Sequence, residues 1–450
     1  MDMNMTDGNP LRLILRFTIP LFLGNAFQQI YNMADSVIVG KFVSAGALAA
    51  VGSTGTVMFL VLGIAIGMTT GFSVMTSQYY GAQDEDGVRY SVTSGILMSL
   101  VFGVVLTAVS LLSMPQLLRL MNTPDEIYAD ALTYINLICI GTLATLFYNL
   151  FAAYLRAIGN SRVPLFFLVF SACLNILLDL LLIITFRMGV AGAATATITA
   201  QGISALLCAA YIYLKVDILR PRRKHWTLYM PCCKKQLAIG IPMSLETGIT
   251  ASGTLIMQAA LNIYGTLSIA GSSAAYRVIN FMSQGLYSLG QTMASYAGQN
   301  FGAHDIGRII EGTRSAMKLC IVYSLAAAGL GVLFLQQLIQ LFFSKDVSLA
   351  EVMPWATISH NECAALYIAL GMIFVYRNTL QGCGYSVQAM TMGIVELAAR
   401  IVMALFSMRV HSFPLAIGAD PAAWLTAGVF GWILYRYLIV RPTASVPLSQ

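Results

Sequence analysis

The sequence predicts an all-α membrane protein of twelve transmembrane helices arranged in two six-helix lobes. Three observations support this prediction: an apolar composition, a series of long apolar segments, and an internal repeat. Hydrophobic residues make up 58% of the chain and charged residues 10%, whereas soluble domains are roughly 45–50% apolar. Since so few polar residues cannot cover one core with an aqueous surface, the predicted solvent is a lipid bilayer.

Apolar runs of about 20 residues, the length that crosses a bilayer as a helix, alternate with short polar loops. Helices are favoured there because they satisfy the backbone hydrogen bonds within the segment. The first run exceeds a signal-peptide core and lacks a small-residue cleavage site, so we expect it to be retained. The predicted spans lie within 13–38, 45–72, 91–113, 131–153, 163–186, 190–214, 236–263, 268–295, 315–343, 355–379, 386–408 and 415–438.

An internal repeat divides the chain into two halves, and its four recognisable pieces are displaced by 221 to 225 residues. The pairs are "TSQYYGAQD" (76–84) with "AGQNFGAHD" (297–305), "LRAIGNS" (155–161) with "LQGCGYS" (380–386), "LMNTPD" (120–125) with "LFFSKD" (341–346), and Ile19-Pro20 with Ile241-Pro242. The sequence therefore predicts an N-terminal lobe (1–214), a linker (215–235) and a C-terminal lobe (236–450).

The even number of spans in each half gives the two lobes the same orientation. They should be related by a pseudo-twofold axis along the membrane normal, which is typical of transporters with a pathway at the seam between the repeats.

Lysine and arginine residues fall mainly in alternate loops. Eighteen of the 25 lie on one side, seven of them in the linker, and five lie on the other. The positive-inside rule therefore predicts cytoplasmic termini and a cytoplasmic linker in a bacterial inner or plasma membrane. The net charge of +6 reflects this asymmetry and does not indicate nucleic-acid binding. Contact of the linker with anionic lipid head groups is an alternative use of its charges.

Neither a metal centre nor an enzyme is expected. Most of the eight cysteines lie in predicted helices, where a thiol packs as a small apolar group. No CxxC pair is present, and the four histidines are scattered. An intramembrane enzyme would need a nucleophile and base or paired metal ligands, and no HExxH or GxSxG pattern occurs. We therefore expect no cofactor, no metal and no catalytic residue.

Several motifs resemble the multidrug and toxic compound extrusion (MATE) family, nearest its DinF-like branch. They are "QQIYNMADSVIVG", "LAAVGSTG", the two Q-x-[YF]-G-A-x-D loops, "LRAIGNSRVP" and "GVAGAATATITAQG". The resemblance covers the chain from about Pro10 to Tyr437. It implies twelve helices around a V-shaped central cleft, and efflux of amphipathic or cationic organic compounds in exchange for protons or sodium ions by alternating access.

Two acids within predicted spans are the main candidate functional residues. Asp35 continues a polar stripe with Asn25, Gln28 and Asn32 at helical spacing, and Asp179 follows Ser171 and Asn175 at spacing four. Such a stripe must face protein or water. Because a buried carboxylate without a basic partner is disfavoured as an anion, each acid is suited to binding a proton. With neighbouring amide and hydroxyl oxygens, the two acids could instead hold sodium.

The resemblance implies that both acids couple transport to a cation, with Asn175 beside them. It also implies a supporting polar network of Tyr134, Asn149 and Thr197. For those three residues, helix packing or interhelical hydrogen bonding is the open alternative. Pro20 lies inside the first span and is a candidate hinge, because proline removes a backbone donor.

The second half differs at the corresponding positions. Glu396 and Arg400 replace Ser171 and Asn175, and their spacing of four residues predicts an ion pair with a structural role. Arg277 also lies within a span, and Glu246 follows Pro242 near the end of the seventh span, where it could be solvated. Coupling is therefore expected in the N-terminal half.

The expected partners are small organic substrates and membrane lipids, and we expect a monomer. The alternative function is a lipid-linked sugar or lipid flippase of the same broader superfamily. A flippase should carry several arginines or lysines to hold a pyrophosphate, and only Arg277 and Arg400 lie within the predicted spans.

Overall fold

A computed structural model describes residues 3–341 and 349–444, and those residues form helices and connecting turns without a β-strand. The predicted all-α fold class is confirmed. The helices are α1 (Pro10–Phe42), α2 (Ala45–Ser53), α3 (Gly55–Gly81), α4 (Glu85–Leu120), α5 (Asp125–Ile140), α6 (Thr142–Ala157), α7 (Arg162–Asp179), α8 (Gly189–Lys215), α9 (Met230–Leu261), α10 (Thr266–Gly302), α11 (Ile306–Gln340), α12 (Leu349–Ala365), α13 (Tyr367–Gly382), α14 (Ser386–Val410), α15 (Phe413–Ile417), α16 (Ala419–Tyr435) and α17 (Arg441–Ala444). Two π-helical segments, Leu180–Thr185 and Arg436–Val440, extend α7 and α16.

Four pairs of helices are separated by a single residue, namely α2 and α3, α5 and α6, α12 and α13, and α15 and α16. Taking each pair as one rod, the described residues contain a rod at every one of the twelve predicted spans. Seven helical segments in this part of the chain are long and apolar enough to cross a membrane, or nine with the bent pairs α5–α6 (45°) and α12–α13 (49°). The protein is therefore a multi-pass membrane protein.

The repeated loops form the same local structure in both halves. In each loop, a non-glycine residue adopts a left-handed backbone conformation. These residues are Gln83 and His304, both at φ 58°. The aspartate that follows then caps the next helix. Asp84 accepts a hydrogen bond from the backbone of Gly87 at 2.8 Å, and Asp305 accepts one from Arg308 at 2.9 Å. These caps explain the final aspartate of each motif, because the first turn of a helix has unsatisfied N–H groups.

The chain forms two compact units. Unit 1 comprises 1–4 and 23–248, and unit 2 comprises 5–22 and 249–450. The boundary between the units falls within α1 and within α9. The first part of α1, which contains Pro20, belongs to unit 2, and the first part of α9 belongs to unit 1. In unit 1, α3 packs against α4 and α6, and α8 packs against α5, α6 and α7. In unit 2, α10 packs against α11, α12 and α13, and α14 packs against α16.

Candidate functional site

The two acids predicted from the sequence lie together in unit 1. Asp35 is on the second half of α1, and Asp179 is the last residue of α7, directly before the π-helical segment Leu180–Thr185. Their carboxyl groups are within hydrogen-bonding reach of each other. Oδ1 of each residue is buried and has no hydrogen-bond partner. Two carboxyl groups this close cannot both be ionised at low cost, so the pair favours a shared proton or a bound cation.

Asn175 and Thr197 complete one side of the site. The side-chain amide of Asn175 has one orientation in which both its nitrogen and its oxygen form hydrogen bonds. In that orientation the nitrogen donates to Oδ2 of Asp179 at 3.1 Å, and the oxygen accepts from the backbone N–H of Thr197 at 3.1 Å. The Thr197 hydroxyl donates to the carbonyl of Ala193 on its own helix at 3.1 Å. Asn175 therefore joins α7 to α8 and fixes the position of Asp179.

Two tyrosines approach the acids from the other helices. The Tyr31 hydroxyl, one turn before Asp35 on α1, forms a hydrogen bond with the Thr197 side chain. Tyr134 on α5 is buried and close enough to both acids to interact with them electrostatically. The site thus gathers side chains from α1, α5, α7 and α8. We call Tyr31, Asp35, Tyr134, Asn175, Asp179 and Thr197 the acid cluster.

Apolar side chains surround the acid cluster. A hydrophobic group that includes Ile38, Ile138, Ile183 and Ala193 packs around Tyr134. Such walls exclude water, and they make an unpaired charge costly. Neither acid forms an ion pair with a lysine or arginine in the part of the chain that the structure describes. A proton or another small cation is therefore the simplest way to neutralise the pair.

A small cavity of about 10 Å³ adjoins the acid cluster, with room for roughly one water molecule. It is lined mainly by polar residues, including Gln28, Tyr31, Ser171, Asn175, Thr197 and Gln201. Oε1 of Gln201 is buried without a partner. The polar stripe predicted on α1 therefore reaches this cavity through Gln28.

Other predicted residues lie outside the acid cluster. Asn32 is exposed, because it sits a quarter-turn away from the face that carries Tyr31 and Asp35. The amide of Asn149 donates to the carbonyl of Thr145 on its own helix at 2.8 Å, so it does not reach the acids. Pro20 lies within α1, which remains helical on both sides of it.

Unit 2 contains a buried ion-pair network around Arg400 on α14. Nη2 of Arg400 lies 2.7 Å from Oε1 of Glu396, as the spacing of four predicts, and Nε lies 2.6 Å from Oδ1 of Asp420. Tyr276 on α10 donates to the other oxygen of Asp420 at 2.9 Å, and Arg377 lies 3.9 Å from Glu396. Two basic and two acidic side chains thus neutralise one another.

Two further candidates from the second half of the sequence are Glu246 and Arg277. Glu246, for which the sequence left solvation open, is only 9% exposed. It also belongs to unit 1 rather than unit 2, because the first part of α9 packs there, with Ser244 donating to the carbonyl of Ile64 at 3.0 Å. Arg277 is exposed on α10, one residue after Tyr276.

Sequence reasoning missed three residues that the structure places in these clusters. Tyr31 precedes Asp35 by four residues, so helical spacing alone was sufficient to find it. Gln201 lies one turn beyond Thr197 on α8, so helical spacing was sufficient to find it as well. Asp420 lies in the first turn of α16, near the start of the predicted span 415–438, and nothing local in the sequence indicates its contact with Arg400.

Comparison with known proteins agrees with this architecture. A family model described as MatE matches residues 20–181 and 242–406, two ranges that begin at the repeat-related Pro20 and Pro242. The chain is similar to the probable multidrug resistance protein YpnP of Bacillus subtilis, with 28% identity and 96% coverage of both chains. It is also similar to the probable multidrug resistance protein NorM of Thermotoga maritima, with 23% identity over 94% of this chain and 89% of the relative.

Solved structures share the fold. A MOP superfamily transporter from Pyrococcus furiosus superposes with a TM-score of 0.92, 22% identity and 98% coverage of both chains. A multidrug resistance MATE family transporter in an outward-facing conformation superposes with a TM-score of 0.90 and 22% identity, covering 97% of this chain and 98% of the other. At these identities the likeness shows the fold alone.

Proposed function

The chain belongs to the MatE family, and from this premise we propose that it is a secondary active multidrug efflux antiporter. It exports amphipathic or cationic organic compounds in exchange for protons or sodium ions by alternating access. Similar proteins that are named multidrug resistance or export proteins support this substrate class. The protein acts as a transporter and not as an enzyme.

The acid cluster is the proposed coupling centre, and the facing carboxyl groups of Asp35 and Asp179 are the observation that carries the proposal. An unpaired, buried acid pair cannot remain doubly ionised. When the pair gives up its cation toward the cytoplasm, its negative charge increases, which disfavours the buried arrangement until substrate or a new cation neutralises it. Occupancy of the pair therefore biases the protein between its two access states.

We propose the proton as the coupling ion, with sodium as the alternative. Hydrogen bonding between two carboxyl groups needs a proton and no other ligand. Sodium, as a hard cation, prefers several oxygens. The carboxyl groups of Asp35 and Asp179 and the hydroxyl of Thr197 supply some of them, and the amide of Asn175 would add its oxygen only by turning that end toward the acids. No group of three or more His, Cys, Asp and Glu residues suited to a metal ion occurs within 3–341 and 349–444. A sodium site here would therefore depend on amide and hydroxyl oxygens.

The supporting residues have distinct proposed roles. Asn175 holds Asp179 in place, Thr197 and Tyr31 connect α8 to α1, and Tyr134 closes the site from α5. Pro20 is the proposed hinge of α1, because it lacks the N–H that would bond to the preceding turn. Bending at Pro20 would change the surroundings of Asp35 and so link ion occupancy to helix shape.

The proposed setting is a bacterial inner or plasma membrane, with both termini and the linker cytoplasmic and with a monomer as the working unit. A flippase for lipid-linked sugars receives less support. It would need basic side chains available for a pyrophosphate, whereas the guanidinium of Arg400 is already engaged by Glu396 and Asp420.

Efflux from energised vesicles tests the function. A dye panel is loaded into vesicles that contain the wild type, Asp35→Asn, Asp179→Asn or the control Asp130→Asn, and a proton or a sodium gradient is imposed separately. Asp130 is exposed on α5 and has no place in the acid cluster. We expect the wild type and the control to export dye under one gradient and both cluster variants to export at background rates. Normal, ion-dependent export by both cluster variants would overturn the coupling proposal.

A further inference from the structure

The linker between the two repeats is a folded element held against α4. It contains two short 3₁₀ turns, Asp217–Leu219 and Arg223–His225. His225 is fully buried, its Nε2 lies 2.9 Å from Oδ1 of Asp86, and its Nδ1 accepts from the backbone N–H of Arg222 at 3.1 Å. The ring of Tyr90 contacts the imidazole edge-on, with centroids 4.8 Å apart. These contacts fix which linker side chains point outward.

The outward side chains after His225 include several large apolar groups. Trp226 is 52% exposed, and Leu228, Tyr229 and Met230 are exposed beside it. The neighbouring helix ends are also apolar on the outside, for example at Leu214, which is 71% exposed on the last turn of α8. Since α8 and α9 are consecutive membrane-spanning rods, the linker between them lies at the level where the chain leaves the bilayer.

The linker also carries basic groups that no acid neutralises. Nearby acids are already engaged, since Asp86 bonds to Lys224 at 2.7 Å and Asp217 bonds to Arg220 at 2.6 Å. Arg89 also lies 3.3 Å from Asp217. Among the residues that the structure describes, five exposed basic side chains of the linker form no ion pair. One of them, Lys215, ends α8, and the other four are Arg222, Arg223, Lys234 and Lys235.

We propose that the linker binds anionic phospholipid head groups through these four residues, with Trp226 and Tyr229 seated among the head groups and upper acyl chains. Tryptophan and tyrosine prefer the membrane interface because one part of each ring is apolar and another part is polar. Clustered lysine and arginine attract anionic lipid over short distances. A nucleic acid or an acidic protein would satisfy the charges but leave the apolar side chains at bilayer level unexplained.

Quenching of Trp226 by brominated lipid tests this binding in the full-length protein. The protein is reconstituted into vesicles of phosphatidylcholine with added phosphatidylglycerol. Two preparations contain the same amount of brominated lipid, with bromine in the upper acyl chains. In one preparation the brominated lipid is phosphatidylcholine, and in the other it is phosphatidylglycerol. The difference between the wild type and Trp226→Phe isolates the Trp226 signal. Two fourfold variants are compared, R222Q/R223Q/K234Q/K235Q in the linker region and R12Q/R16Q/R314Q/K318Q as a control at exposed positions elsewhere.

We expect brominated phosphatidylglycerol to quench Trp226 about twofold more than brominated phosphatidylcholine, because anionic lipid is enriched near the basic residues. The linker variant should lose this preference, the control variant should keep it, and added salt should weaken it. Equal quenching by the two lipids in the wild type, a preference that persists in the linker variant, or no quenching by either lipid would overturn the proposal. The charges would then serve only to orient the chain in the membrane.

Discussion

Asn175 and Asp179 lie one turn apart on α7, and the amide nitrogen of Asn175 donates to Oδ2 of Asp179 at 3.1 Å. The other end of the same amide accepts from the backbone of Thr197 on α8. One uncharged side chain therefore holds the acid without neutralising it. That arrangement leaves the charge of Asp179 to be balanced by an exchangeable ion.

Replacing Asn175 with leucine should reduce both stability and transport. The variant leaves Oδ2 of Asp179 without its donor, and an unsatisfied buried polar group costs about 1–3 kcal/mol. Thermal unfolding in detergent and dye efflux from vesicles measure the two effects. Asn149→Leu is the matched control, because that amide bonds only to the carbonyl of Thr145 on its own helix. Equal losses in both variants would contradict a special role for Asn175.

Tyr31→Phe removes the hydroxyl that bonds to Thr197. A neutral hydrogen bond contributes about 0.5–1.5 kcal/mol, so we expect the efflux rate to fall roughly 2- to 10-fold. Tyr213→Phe removes an exposed hydroxyl at the end of α8 and should leave efflux unchanged. Initial efflux rates at several external pH values provide the measurement. A Tyr31→Phe protein with wild-type rates at every pH would exclude Tyr31 from the coupling network.

Arg400→Leu should destabilise the protein strongly, because it leaves the buried carboxylates of Glu396 and Asp420 without their main partner. Breaking a buried ion pair from one side costs about 3–5 kcal/mol. The triple variant Glu396→Gln, Arg400→Leu, Asp420→Asn removes Arg400 together with both of its acidic partners and leaves Arg377 as the one charged member of the network. It should recover most of the loss in the unfolding temperature.

The triple variant also separates structure from coupling. Since the network is internally neutral, we expect dye export by the triple variant to keep its wild-type ion dependence. A folded triple variant that exports under neither gradient would show that the network takes part in coupling.

The two motif aspartates should contribute similar capping energies. Asp84→Ala and Asp305→Ala each remove a side-chain acceptor at a helix start, which typically costs about 1 kcal/mol. Asp130→Ala, within α5, removes an exposed aspartate that caps no helix and should have little effect. Unfolding temperatures of the three variants test this. A much larger loss at only one of the two motif positions would contradict the equivalence of the repeated loops.

Local sequence signals predicted the elements well because they depend on short-range physics. Apolar length indicated the helical rods, and the recurring Q-x-[YF]-G-A-x-D motif marked two loops that form the same turn and cap at Asp84 and Asp305. The spacing of Glu396 and Arg400 predicted their ion pair, since residues four apart share a helix face.

Contacts between helices that are far apart in the sequence could not be predicted from it. Asp35 and Asp179 are separately conspicuous as acids in apolar segments, but their meeting depends on how α1 packs with α7. The contact between Asp420 and Arg400 likewise depends on packing between α14 and α16. The division of α1 between the two units after Phe22 also has no local signal, because a proline within a continuous helix does not indicate which unit each part of that helix joins.

The central claim is that Asp35 and Asp179 together hold the exchangeable cation. Release of bound ions on substrate addition tests it most directly, with solubilised protein, a cationic dye, and detection of protons by a pH indicator or of sodium by a radioactive tracer. We predict that the wild type releases one of these two ions when it binds dye and that Asp35→Asn/Asp179→Asn releases neither. Undiminished release of the same ion by the double variant would contradict the claim.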